Sequence, residues 1–378
     1  MDQLRIIFIY IVSVLFLLTK MRQPYIPVDP TITGQIFSLF SILLLITQIR
    51  FIQKFRYSLL LFLYIILLFI SLVFIQDNSY SILLSWVAPL IIAASLQDKD
   101  RKALKPLTYL FLLVFFANAF AAFYERFTLS LLMEPDVDDR ILLQQMEIGE
   151  RSDSSFRSFA FFGHPLNNGN IMAFMSFIIL YSKTIPAKMR LILSAMGFSS
   201  LFCFNSRGAI LVSVVLLTPF IYQYLKYEAK HKIAIVICFI SFTLFLASNF
   251  SVFGGRLASS DIMDESAMVR VLSIQEFLNI PFSTLLVGGY EMTYGENGFL
   301  MILAQYGLII GGFKIFVELF FSYKIIGQQY KKKTKFIIMA SLIIIGSTNN
   351  NLAFPLVFPT YIMCVIIILN NNKKLAYR

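Results

Sequence analysis

The chain has 378 residues, 58% of them hydrophobic and only 14% charged, with a mean hydropathy of +0.76. A soluble domain carries roughly 25% charged residues, so the composition excludes an ordinary soluble enzyme and points to an integral membrane protein. The net charge of +11 invites a nucleic-acid reading, but the basic residues follow the ends of apolar segments instead. Forty Phe suit a lipid-facing surface and need no cofactor to explain them.

At about 17–25 residues per span, the apolar runs near 4–19, 31–49, 57–75, 80–96, 104–124, 166–183, 187–204, 208–225, 231–249, 297–325, 336–348 and 352–369 predict about twelve transmembrane helices. The shortest, 336–348, reads as a half-helix or a re-entrant segment. Helices are the default because lipid cannot satisfy an open sheet edge, and the period-two segments of an outer-membrane barrel are absent. The predicted class is therefore all-α, a polytopic membrane protein forming a single transmembrane domain over 1–378. The first span follows a short N-terminus with Arg5 and has no small-residue cleavage site after it, so it reads as a retained helix.

Orientation follows from Lys and Arg. With the N-terminus in the cytoplasm, most of the 32 basic residues fall on inner segments, among them Lys99, Arg101, Lys102, Lys331, Lys332, Lys333, Lys373 and Lys374. Both termini are then cytoplasmic, and two large loops, 125–165 and 250–296, are extracytoplasmic. The positive charge becomes a matter of topology and anionic-lipid contact, with membrane lipids and not nucleic acid as partners.

Cys203, Cys238 and Cys364 all fall in predicted spans and read as small buried hydrophobes; no CxxC or Cys/His spacing suggests a metal. Neither GxxxxGK[ST] nor GxGxxG occurs, which argues against ATP-driven transport within this chain. The sequence therefore predicts no metal and no cofactor.

The two loops carry the polar residues. The first is acidic through Glu134, Asp136, Asp138, Asp139, Glu147, Glu150 and Asp153, then brings Arg151 and Arg157. It returns to the membrane at Gly163-His164-Pro165-Leu166-Asn167-Asn168, where Pro sets a turn or helix start and the Asn side chains can satisfy backbone groups. In the second loop, Ser266 to Ile280 reads as an amphipathic helix stopped by Pro281, lying on the membrane surface and holding Arg270 near the headgroups. Gly288-Gly289 then turns the chain back toward Tyr294-Gly295-Glu296-Asn297-Gly298 and a long apolar helix.

These elements resemble the superfamily of O-antigen ligases and Wzy-type polymerases. Asn205-Ser206-Arg207-Gly208-Ala209 is similar to its SRGA element. The Arg270-led helix ending at Pro281 and Gly288 is similar to its large periplasmic loop. Glu296-Asn297, nine residues, then Gly307 resembles its His-Asn-x9-Gly element, and Gly163 to Asn167 resembles the segment after its earlier loop. The resemblance spans roughly 150–315. It implies metal-independent glycosyl transfer at the outer face of a bacterial inner membrane, from a glycan on undecaprenyl pyrophosphate to a sugar hydroxyl. It also implies a chain-length regulator as partner.

The residue types suit that chemistry. Metal-free release of a lipid pyrophosphate requires fixed cations, and Arg pairs best with phosphate oxygens. Arg207 and Arg270 are the leading candidates and Arg157 a third. The acceptor hydroxyl needs a base: Glu296 stands where the ligases have His, and His164 is the alternative. Asn297 and Asn167 are candidate sugar contacts. Glu in place of His favours a polymerase over a ligase. Polar residues gathered at the span mouths favour either enzyme over a flippase, which would place its charged sites at mid-membrane. Lys314 and Glu318, four apart on one helix face, are expected to pair structurally.

Overall fold

The computed structural model describes residues 2–20, 30–52, 57–75, 87–88, 90–92, 103–132, 156–162, 165–181, 185–204, 206, 208–217, 265–294, 297–327, 339–340 and 343–344. Among them the secondary structure is helical with no strand, the all-α class expected from the sequence. The first helices are α1 (Asp2–Lys20), α2 (Pro30–Ile52), α3 (Ser58–Ile75), α4 (Lys105–Thr128), α5 (Pro165–Tyr181) and α6 (Ala187–Cys203), with Gly208–Leu217 as α7. Proline marks several starts: Pro30 and Pro165 open α2 and α5, Pro106 lies in the first turn of α4, and Pro186 directly precedes α6. A helix start has no use for the missing N–H. Two stretches, Lys105–Thr128 and Gly298–Phe320, are long and apolar enough to cross a membrane. The predicted spans 231–249 and 352–369 lie outside the described residues, as do most of 80–96 and 336–348.

Helix α1 packs on α2, and α5 on α6, with α4 against both α5 and α6. Phe111 and Phe115 of α4, Phe174 and Phe177 of α5, and Phe204 beyond α6 are fully buried where these helices meet. Cys203 is buried beside them with a free thiol, as its apolar setting predicts.

The second loop builds a small satellite unit. Its amphipathic segment is α8 (Glu265–Leu278), followed by α9 (Phe282–Val287) and by α10 (Gly298–Gly327). Ile280, Met292 and Ala304 form a core of their own, closed by Phe277, Leu285, Tyr290, Leu300 and Met301. Along α8, Met268, Val271, Ile274 and Leu278 stay exposed, while Ser273 on the opposite face is fully buried.

Helix α10 departs from the single long span expected over 297–325. At Gly307 the backbone turns to φ 78°, ψ 164°, which divides it into a half-helix, 298–306, and a longer piece, 308–327. In an unbroken helix, residues 302 and 311 stand about 13 Å apart along the axis. Here a Cβ on Gly311 would lie 2.7 Å from the Ile302 carbonyl oxygen, so the two pieces fold sharply toward each other. The carbonyls released by the break are not wasted: Gly289 N–H donates to Gln305 O at 2.8 Å and Tyr290 N–H to Ala304 O at 3.2 Å. The stretch 298–320 is thus long and apolar enough in sequence but not one straight helix, and the longer piece, 308–327, has about 30 Å of rise, close to the thickness of a bilayer core.

Gly288 and Gly307 lock this junction. A Cβ on Gly307 would meet Leu286 O at 2.6 Å, and one on Gly288 would meet Gln305 O at 2.6 Å; both residues have positive φ. Gly307 stands in an apolar run that reads as one continuous helix, yet it is a break that only glycine permits. Gly307→Ala is expected to cost about 1–3 kcal/mol in backbone strain alone, before the clash. The check is a lowered melting temperature in detergent, with Gly312→Ala, whose Cβ meets nothing within 4 Å, unchanged or slightly stabilised.

Candidate functional site

The first loop is bound to the bundle by a polar knot at the C-terminal end of α4. The sequence placed Glu125 and Arg126 at the start of a solvated loop; α4 instead runs to Thr128 and both are buried. Glu125 Oε2 accepts from the backbone amides of Phe159 (2.7 Å) and Ala160 (3.0 Å), and its Oε1 from Leu132 N–H (3.1 Å). Arg126 donates to Phe156 O at 2.8 Å, and the Asn118 side-chain oxygen accepts from Phe161 N–H at 2.9 Å. Ser158 Oγ donates to Ala122 O at 2.8 Å, while its amide reaches Cys203 O at 3.0 Å. A carboxylate ringed by amides can hold Ala160 at φ 42°, a conformation that a residue with a Cβ seldom takes unaided.

From the other side Asn168 closes the knot. It donates to Phe159 O at 2.6 Å and accepts from Phe162 N–H at 3.4 Å, the backbone-satisfying role its position at a helix start suggested. One residue on, a Cβ at Gly169 would stand 2.9 Å from Ala209 Cβ and 3.3 Å from Ser206 Cβ. Gly169, next to Asn168 in α5, thus packs closely on Ser206 and on Ala209 near the start of α7. Arg157 lies in this knot, 9% exposed and engaged within the protein. Asn167, half-buried, lies in the first turn of α5.

In the second loop a carboxylate again organises the backbone. Glu276 Oε1 accepts from Thr293 N–H (2.8 Å) and the Tyr290 hydroxyl (3.3 Å), and Oε2 from Tyr294 N–H (2.9 Å). Ser273 donates to the Tyr294 carbonyl. Burial pushes the Glu276 carboxyl up, but the Thr293 and Tyr294 amides with the Thr293 and Tyr290 hydroxyls outweigh it and hold it below the usual carboxylate value. With the folded-state value depressed, its contribution to stability is present at neutral pH and is lost as pH falls through that lowered value.

Arg270 lies three residues before Ser273, about 60° round the helix from it. It is half-buried on the side of α8 that meets 290–294. Asn297 caps the half-helix, its Oδ1 accepting from Leu300 N–H at 3.2 Å. That bond gives a physical reason for Asn and Gly with nine residues between them: the first starts a short helix and the second ends it. Of the seven residues singled out from the sequence, Arg157 lies in the first knot, Asn167 in the first turn of α5, and Arg270 and Asn297 in the satellite unit. His164, Arg207 and Glu296 lie outside the described residues. The supporting residues Asn118, Glu125, Arg126, Ser273 and Glu276 were missed. For Asn118, Glu125 and Arg126 the one sequence signal is a polar side chain on a largely apolar helix; Ser273 and Glu276, on amphipathic α8, carry none. Among the described residues no group of three or more His, Cys, Asp or Glu is placed to hold a metal ion.

Comparison with protein-family models, with characterised proteins and with solved structures finds no match to this chain. What the described residues define is the class: an all-helical protein with two stretches able to cross a membrane, its long loops clipped to helices by buried or hydrogen-bonded carboxylates.

Proposed function

We propose that the protein is a multi-pass glycosyltransferase of about twelve spans that joins oligosaccharide repeat units carried on undecaprenyl pyrophosphate, at the extracytoplasmic face of a bacterial inner membrane. The observation that carries the reading is the docking of α8. Its inward face bears Arg270 and holds Tyr294, two residues before Glu296 in the chain. The candidate phosphate-binding cation thus sits on the helix that holds the chain two residues before the candidate base. In the reaction, Glu296 or His164 takes the proton of an acceptor hydroxyl. That oxygen bonds to the anomeric carbon of the donor, and the bond from this carbon to the pyrophosphate breaks. Arg207 and Arg270, with Arg157 as a third, take up the charge on the departing lipid pyrophosphate. Asn297 and Asn167 contact sugar. No cofactor enters this scheme, and a chain-length regulator is its expected partner.

Loss of one such charge-stabilising group costs about 10²–10³ in turnover, so Arg270→Ala is expected to abolish polymer at normal protein abundance. The test is a gel of surface glycan from cells lacking the gene, complemented by the parent, Arg270→Ala or Glu296→Ala. A single repeat unit on the core in place of a ladder supports the polymerase. Lipid-linked polymer that never reaches the core indicates a ligase, and single units trapped on the inner face indicate a flippase. A full ladder from Arg270→Ala removes the central claim.

A further inference from the structure

We propose that Glu276 is a positioning residue for this transfer reaction: it clips the Tyr290–Tyr294 segment to α8, so that Arg270 and the chain leading into Glu296 move as one body. The inference rests on the polymerase reading above. Three donors, from Thr293, Tyr294 and Tyr290, converge on one carboxylate, and Ser273 binds the same segment one turn earlier on α8. Beyond the clip, only Gly295 and Glu296 separate Tyr294 from Asn297, whose cap anchors the half-helix. Tyr294 is held by α8, and Asn297 caps the half-helix.

The hydrophobic contacts alone do not set this geometry. Phe277, Tyr290 and Met292 join α8 and the segment to the satellite core, but apolar packing tolerates sliding, whereas two carboxylate oxygens on two successive amides fix register. A bridge of this kind has its place at a reaction centre. A misplacement of about 1 Å between reacting groups costs on the order of a hundredfold in rate. Glu276 touches neither lipid nor sugar in this account; it acts through Arg270 and Glu296.

The test uses the full-length protein in detergent with an undecaprenyl-pyrophosphate-linked repeat unit as substrate. Glu276→Ala is expected to lower kcat by about 10- to 100-fold while KM changes by less than about threefold. Glu276→Gln, which keeps one acceptor, is expected to fall between Glu276→Ala and the parent. The decisive arm is a double-mutant cycle: in an Arg270→Ala background, Glu276→Ala is expected to cause little further loss, because what it fixes is the register of Arg270 against the chain leading to Glu296. Hydrogen exchange supplies a readout independent of activity, with protection at Thr293 and Tyr294 lost in Glu276→Ala. An inactive Arg270→Ala beside an indifferent Glu276→Ala, or losses that simply add, overturns this role and leaves the polymerase reading standing. A parent protein that joins no repeat units overturns both.

Discussion

Glu318→Ala destabilises the protein by about 3–5 kcal/mol, because it strands the Lys314 ammonium in the interior without its carboxylate. Lys314 is 1% and Glu318 5% exposed, and Lys314 Nζ stands 2.7 Å from Glu318 Oε1. The sequence predicted this pair from its spacing of four. It did not predict the third member, Tyr64 of α3, whose hydroxyl donates to the same oxygen at 2.8 Å. The cluster therefore pins the longer piece of α10 to α3, beside the edge-on packing of Tyr57 and Phe320 at 5.1 Å. Replacing both charges together, Lys314→Met with Glu318→Leu, is expected to be close to neutral, since the desolvation of two ions disappears with their attraction. Tyr64→Phe should cost about 1.5–3 kcal/mol, the worth of one hydrogen bond to a charged group. Thermal melting in detergent checks all three; a double variant less stable than Glu318→Ala would show that the pair is a net stabiliser of the bundle.

Glu125→Ala is expected to be as damaging, on the order of 3–5 kcal/mol, because three backbone amides lose one acceptor, two of them inside the protein. Phe159 and Ala160 N–H have their partner 34 and 35 residues away in sequence, so no neighbouring group can replace it. Glu125→Gln retains the side-chain shape and one carbonyl, and should lose about half as much. Proteolysis and amide exchange across 156–162 give the local reading, and membrane abundance gives the global one. An Ala variant with parental exchange at Phe159 and Ala160 would mean that these amides are satisfied without Glu125. Arg157 sits in the same knot, so under the proposed function the variant is also expected to lose polymer through displacement of that arginine.

Much of the helical framework was legible because it is a local property. An apolar run of bilayer length has few alternatives to a helix, and α1 to α6 follow the predicted runs to within a few residues at most ends. The amphipathic α8 was equally readable from its periodicity and from Pro281, and the pairing of Lys314 with Glu318 from helical spacing alone. The candidate site was legible only in part. Arg157, Arg270, Asn167 and Asn297 were found as unusual polar residues near helix ends, and Asn168 as a group that satisfies backbone.

What composition and periodicity determined, then, was the all-α class, the position of the apolar segments and the residues available for chemistry at their ends. Tertiary structure decided where the backbone bonds go. Gly307 follows an apolar run that reads as continuous, and the break there depends on Gly288 and Leu286 pressing on it from another element. Glu125 and Glu276 resemble any acid beside a loop until the amides that surround them are brought in by folding. Apolar periodicity reports burial one residue at a time, whereas a hydrogen-bond partner 17 to 35 residues away is specified only by the packing of whole helices.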